Sequence, residues 1–359
     1  MARKSPKRSP TMYDVAKHAG VSQTTVSLVL NNVANHGIPE ETTKRIWAAV
    51  MELGYRPNAL AKGLASNRSN QIGLITDTIA TTPHAGKIIE GAQDAAWAQS
   101  KLLLLINTQE RPDVTQAAIE LMLAQQVEGI IYATMYHRSV QLPGIFHEVP
   151  TVLLDCYDED RSLPSVVPDE IAGGRIATEV LLQNGHRRIG FINNAEPIPA
   201  TLGRLKGYKQ ALADHGIAFD EALVQTNTDI ARGGYDAALA LMRLPERPTA
   251  LFCYNDRMAM GAYDALRKLD LRIPEDVSVI GFDNQELIAA HLHPGLSTIE
   301  LPHYEMGHWA VSYLLEQARG AAANGLAQHR LECPYIERGS IAAPPSYSKP
   351  KLLVDFLGK

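Results

Sequence analysis

Cysteine is scarce. Cys156, Cys253 and Cys333 are the three in 359 residues, far apart and at no metal-ligand spacing. A reduced, cytoplasmic setting with three small apolar side chains is the expectation. Long apolar runs are missing too. The longest aliphatic stretch, Leu102–Ile106, falls far short of the roughly 20 residues that span a bilayer, so no membrane partner is expected. The basic N-terminus is followed by no apolar segment of the secretory kind, which argues against an export signal. Catalytic signatures are absent as well: there is no Gly-x-Gly-x-x-Gly, Walker A loop, His-Glu-x-x-His or Gly-x-Ser-x-Gly. An enzyme is therefore not expected, and neither is a cofactor. His291, His293, His303 and His308 lack acidic or cysteine companions at ligand spacing, so no metal is expected. In the tail, residues 346–359, Leu352, Leu353, Phe356 and Leu357 make no sustained heptad seam.

Charge is present, and unevenly placed. Residues 1–68 carry ten Lys/Arg against four Asp/Glu, a net of +6, while residues 69–359 carry 24 against 35, a net of −11. A basic segment on an acidic body suits a polyanion partner, because Lys and Arg displace counterions condensed on phosphates. A solvated basic tail is the competing reading of charge alone.

The residues behind the basic arm (1–10) favour the polyanion. Thr11 with Asp14 makes a capping-box-like helix start, and Gly20 supplies a C-cap. Met12, Val15, Ala16 and Ala19 share one face. A second helix begins at Gln23 behind an N-capping Ser22, and a third spans about 40–53 and stops at Gly54. Two short helices around a glycine-containing turn make a helix-turn-helix. Val26, Val29 and Leu30 point inward on the second helix. Thr24, Ser27, Leu28 and Asn31 then face out, with Gln23 at the exposed start, where base edges and phosphates would be met.

The run from Tyr13-Asp-Val-Ala through Ala19-Gly-Val-Ser, Thr25-Val-Ser and Leu30-Asn to Leu53-Gly-Tyr-Arg-Pro-Asn58 resembles the LacI/GalR family of bacterial transcription regulators. The resemblance implies a DNA-binding domain at 11–56 and adds Thr11, Tyr13, Ser22, Thr25, Tyr55 and Asn58 to the DNA-facing set. It also implies that residues 57–68 are a hinge helix wedging Leu64 into the minor groove, which is sound physics for a groove binder. A plain interdomain linker is the alternative, since Gly63 lowers helix propensity. Leu28 stands where the family commonly has arginine, so the usual bidentate guanine contact is missing.

From Gln71 onward short apolar runs alternate with amphipathic stretches. Ile72–Thr76, Leu102–Asn107, Gly129–Ala133 and Thr151–Leu154 read as strands, and about 84–100, 112–126 and 138–147 as helices. The pattern restarts where Ile189-Gly-Phe-Ile echoes Ile72-Gly-Leu-Ile, with strands following at about 223–226, 249–254 and 277–282. Such βα alternation implies parallel sheets covered on both faces. Two doubly wound halves resemble the periplasmic-binding-protein-like body of the same family. That body would be an effector-binding and dimerisation domain at 69–345. Its N-subdomain would comprise about 69–168 and 300–330, its C-subdomain about 169–299 and 331–345.

Ligands of open parallel sheets sit beyond the carboxyl ends of the strands. That rule selects Asp77, Asp155, Asn255 and Asp283, with Arg257 two residues past Asn255 and Arg204 opening a helix of the second half. Carboxylates, an amide and guanidinium groups are what hydroxyl-rich ligands need. The resemblance matches Arg204, Asn255, Arg257 and Asp283 to effector-contacting positions; a cap or a structural ion pair is the alternative for each. After Pro83 the family often has paired phenylalanines, replaced here by His84 and Ala85. His84 is either an effector contact or a surface histidine. The resulting expectation is a homodimeric repressor reading a pseudo-palindromic operator under control of a sugar-like effector. A receptor would want an export signal, and a kinase or dehydrogenase a nucleotide loop.

Overall fold

The computed structural model describes residues 10–31, 37–56, 69–82, 85–320 and 327–345. The chain divides into two units, Met1–Ser69 and Asn70–Lys359.

In the first unit, α1 (Met12–Ala19) opens on a capping box. Asp14 N–H donates to Thr11 Oγ1 at 3.4 Å and the Asp14 carboxylate accepts from Thr11 N at 2.8 Å. Gly20 closes it in the left-handed region at φ 67°, where a Cβ would be penalised. Helix α2 (Gln23–Leu30) follows behind Ser22, whose hydroxyl accepts from Thr25 N at 3.1 Å. Helix α3 (Glu40–Leu53) ends at Gly54. Val15, Ala16, Ala19, Val26, Val29, Ile46 and Ala49 form the core of this small helix-turn-helix unit.

The second unit is built twice on one plan. Strand β1 (Gln71–Thr76), helix α4 (Ala85–Ala98), β2 (Leu102–Asn107), α5 (Pro112–Ala124), β3 (Ile130–Val140), β4 (Thr151–Asp158) and β5 (Ser165–Pro168) make the first half. The second half runs through α6 (Glu170–Gln183), β6 (Ile189–Asn194), α7 (Pro199–Asp214), β7 (Val224–Asn227), α8 (Ala231–Met242), β8 (Ala250–Cys253), α9 (Asp256–Lys268), β9 (Ser278–Asp283), α10 (Glu286–Ala289) and β10 (Ser297–Glu300). The chain then returns to the first half with α11 (His303–Ala318) and β11 (Gln328–Leu331), and crosses once more to place β12 (Tyr335–Ile336). The strand orders are β11-β5-β4-β3-β1-β2 and β12-β10-β9-β8-β6-β7, so β6 repeats the place of β1. The echo between Ile72-Gly-Leu-Ile and Ile189-Gly-Phe-Ile is the trace of this repeated topology. All paired strands are parallel except β10 with β12, and helices cover both faces, as the alternation implied.

One expected element is wrong. Residues 138–147 are no helix: β3 continues to Val140, and only a 3₁₀ turn, Gly144–His147, follows Pro143. The pairing of β3 with β4 breaks between Ala133↔Leu154 and Arg138↔Cys156 and then resumes to Val140↔Asp158. Four residues, 134–137, therefore stand opposite the single Asp155, a bulge that hides the period-2 signal. Strands β5, β10 and β11 have only four residues each, too short to announce themselves by pattern.

Candidate functional site

The bulge builds one wall of the cleft between the two halves. It carries Met135, Tyr136 and His137 into a cavity of about 50 Å³ that Asp155, Glu170, Arg204, Asp229, Tyr254, Asn255, Arg257, Asp283 and His303 also line. Ligand pockets usually measure roughly 300–1,000 Å³.

Arg204 is the centre of this network. It is 3% exposed, and its Nε donates to Glu170 Oε2 at 2.7 Å while Nη2 reaches Oε1 at 3.3 Å. Nη1 donates to the Tyr254 carbonyl at 2.5 Å and lies 3.6 Å from Asp283 Oδ1. The guanidinium also stacks over Phe282, 3.7 Å from the ring centre. Burial alone would pull its pKa down, but Glu170, Tyr254 and Asp283 hold it above the ordinary arginine value. The arginine is set there by close helix packing: a Cβ on Gly174 of α6 would lie 2.5 Å from the Arg204 carbonyl oxygen on α7.

Asp155 is different. Its backbone is held at φ 57°, and its buried Oδ1 has no hydrogen-bond partner among the described residues. Burial, then repulsion from Glu170, pushes its pKa well above the usual carboxylate range. Asp283 ends β9 at φ 102°, a strained geometry of the kind that gathers at functional sites. Asn255 caps α9, accepting from Met258 N at 2.8 Å, and its amide donates to the Asp229 carbonyl at 2.9 Å. Arg257 pairs with Asp229 at 2.6 Å, yet its buried Nε has no partner among the described residues. Orphaned buried donors and acceptors cost about 1–3 kcal/mol each, so a ligand that satisfies them binds with that advantage.

Five of the residues selected from sequence thus meet in one cleft: Asp155, Arg204, Asn255, Arg257 and Asp283. Asp77 does not join them. Its Oδ1 accepts from Thr78 and Ile79 N–H groups and its Oδ2 from Met135 N–H and Arg138, so it braces the bulge instead of facing the cavity. His84 lies outside the described residues. Sequence reading missed Tyr136, His137, Glu170, Asp229, Tyr254 and His303. Asp229, two residues past the end of β7, obeys the same strand-end rule and was findable. The four carboxyl groups of Asp155, Glu170, Asp229 and Asp283 outnumber the guanidiniums of Arg204 and Arg257.

In the helix-turn-helix unit, Gln23, Thr24 and Asn31 are exposed and Ser27 and Leu28 half-buried along α2. Tyr13 is exposed, while Tyr55 packs on the small core. Thr11 and Ser22 are engaged as caps, Ser22 with Thr25 Oγ1 at 2.8 Å. Asn58 and Leu64, with the rest of 57–68, lie outside the described residues.

Comparison with known proteins places this arrangement. Residues 11–58 match the bacterial regulatory proteins of the lacI family, and residues 69–337 match the periplasmic binding proteins and sugar-binding domain of the LacI family. The ribose operon repressor of Escherichia coli K12 is 34% identical over 335 residues, covering 92% of this chain and 99% of that one. The transcriptional repressor PurR of Photorhabdus laumondii is 34% identical over 312 residues, covering 86% and 90%. Among solved structures, the lac repressor dimer bound to operator and the anti-inducer ONPF superposes with a TM-score of 0.76 at 27% identity, covering 94% of this chain and 100% of that one. The chain belongs to the LacI family: it is a DNA-binding transcription regulator with an effector-binding body, not an enzyme. Among the described residues no helix is long and apolar enough to cross a membrane.

Proposed function

We propose that the chain is a cytoplasmic homodimeric repressor of a pseudo-palindromic operator, tuned by a small, neutral, hydroxyl-rich effector in the cleft. A sugar or sugar derivative fits best. The observation that carries this reading is Asp155, a buried carboxylate oxygen without a donor. A sugar hydroxyl supplies that donor, while Arg204, Asn255, Arg257 and Asp283 fix the remaining hydroxyls. The excess of carboxylates over guanidiniums along the walls opposes a phosphorylated ligand. The relative named ribose operon repressor agrees with this chemistry. A purine, as the name PurR suggests, would want a free aromatic face, but Tyr254 is covered by Arg204 at 4.4 Å, leaving Tyr136.

On the DNA side, Gln23, Thr24, Ser27, Leu28 and Asn31 would read the major groove, Thr11, Tyr13, Ser22, Thr25, Tyr55 and Asn58 the flanking backbone, and Leu64 the minor groove. Leu28 offers only an apolar contact, such as to a thymine methyl. Dimerisation suits the edge strand β2 and its flanking helices, where Trp97, Leu102, Leu105 and Leu121 stay exposed. The test is calorimetric titration of the full chain with ribose, other neutral pentoses and hexoses, hypoxanthine and guanine. A neutral sugar should bind, and nucleobases should not. Nucleobase binding without sugar binding would overturn the proposal.

A further inference from the structure

Behind the wall formed by His137, Pro168 and Glu170 lies a second cavity of about 270 Å³. It is larger than the effector cleft and opposite in sign. Arg161, just past β4, and Arg330, on β11, enter it from the first half, and Lys206 of α7 enters from the second. None of the three has a carboxylate partner among the described residues. Arg161 lies over the Tyr157 ring at 3.5 Å and donates to the Gln328 amide oxygen at 3.1 Å. The two acids of the wall are already engaged. Asp169 caps α6 by accepting from Ala172 N at 3.0 Å, and both oxygens of Glu170 are held by Arg204. With Glu170 paired to Arg204, three cations face one carboxylate, a net of +2. In addition, His137, which lines both cavities, has a buried Nδ1 with no hydrogen-bond partner among the described residues. Val167 and Leu202 supply apolar surface beside these charges.

We infer that this cavity binds a small phosphorylated metabolite as a second regulatory ligand, distinct from the effector of the cleft. A phosphate bridging Arg161 and Arg330 to Lys206 ties the two halves together, because planar guanidinium groups and an ammonium converge on its oxygens. It also touches the shared wall, where Glu170 holds Arg204. Whatever shifts Glu170 on one side is therefore felt by the effector network on the other.

The experiment is calorimetric titration of the full chain with pyrophosphate and with ribose 5-phosphate at constant ionic strength. Saturable binding of one anion per chain is expected. Lys206→Ala and Arg330→Ala should each weaken it about fivefold or more, and the double variant should abolish it. Both side chains are exposed, so the thermal transition of each variant should match the parent and report an intact fold. Asp283→Ala, which disables the cleft, should leave anion binding saturable at one per chain, shifted only by the coupling through Arg204 and Glu170. Binding that survives the double variant is an anion on the basic N-terminal segment and overturns the inference. So does binding lost with Asp283→Ala, which would put the anion in the cleft, or the absence of saturable binding up to about 10 mM.

Discussion

Asp155 combines three costs: a backbone at φ 57°, a buried oxygen without a donor, and the repulsion of Glu170. With its folded pKa raised, folding favours the protonated form more than the unfolded chain does. The stabilisation is fully present below the unfolded carboxylate value of about 3.9 and is lost as pH rises through the raised folded value. The raised pKa therefore makes this carboxyl a source of lower stability at neutral pH than in acid. An asparagine at this position keeps the left-handed backbone, which that residue type tolerates, while removing the charge. The substitution Asp155→Asn should raise the melting temperature of the body at neutral pH. The gain should vanish in acid, and sugar affinity should fall at least about tenfold. Thermal scans at several pH values and a sugar titration check this. A variant that melts lower at neutral pH and binds sugar as the parent does would contradict the role given to this carboxylate.

At the scale of elements, helix packing positions the site. The Cβ of an alanine in place of Gly174 would meet the Arg204 backbone at 2.5–2.9 Å, so α6 and α7 must separate, and Glu170 and Arg204 move with them. Gly174→Ala should cost about 1–3 kcal/mol of stability and weaken effector binding at least about tenfold. Gly144→Ala, with open space around it, should change neither. Thermal unfolding and calorimetry of the pair decide it; equal behaviour of both variants would refute the packing argument.

Elements also explain how far the sequence could be read. Thr11, Ser22, Gly20 and Gly54 mark helix ends through local chemistry, and the structure places caps on each. The long apolar strands β1 and β2 run over Gln71–Thr76 and Leu102–Asn107, within a residue of the expected runs. Asp155, Asn255 and Asp283 were found because strand ends converge on one side of a parallel sheet. Asp77 obeyed the same rule yet turned inward, because donors 58 and 61 residues away, Met135 N–H and Arg138, claim its carboxylate. Glu170 and His137 were invisible for the same kind of reason. One depends on a helix contact and the other on a bulge, and neither leaves a periodic trace.

For the whole molecule, the separation of charge, +6 over residues 1–68 and −11 over the remainder, divides the work. The basic unit suits phosphates, and in the function proposed above the cleft of the acidic body takes neutral hydroxyls. A ligand that grips both halves favours the arrangement in which they meet around it and shifts that population. The covalent path from body to helix-turn-helix runs through residues 57–68, so the shift can reach the DNA contacts. The central claim is this coupling, and it is measured by titrating an operator duplex with the full chain by fluorescence anisotropy, with and without a saturating sugar effector, for the parent and for Asp283→Ala. The account predicts that the sugar changes the parent's operator affinity about 5- to 150-fold, and that Asp283→Ala matches the sugar-free parent but shows no response. An Asp283→Ala protein that still responds to the sugar, or a parent whose operator affinity is unmoved by a sugar it binds, would contradict it.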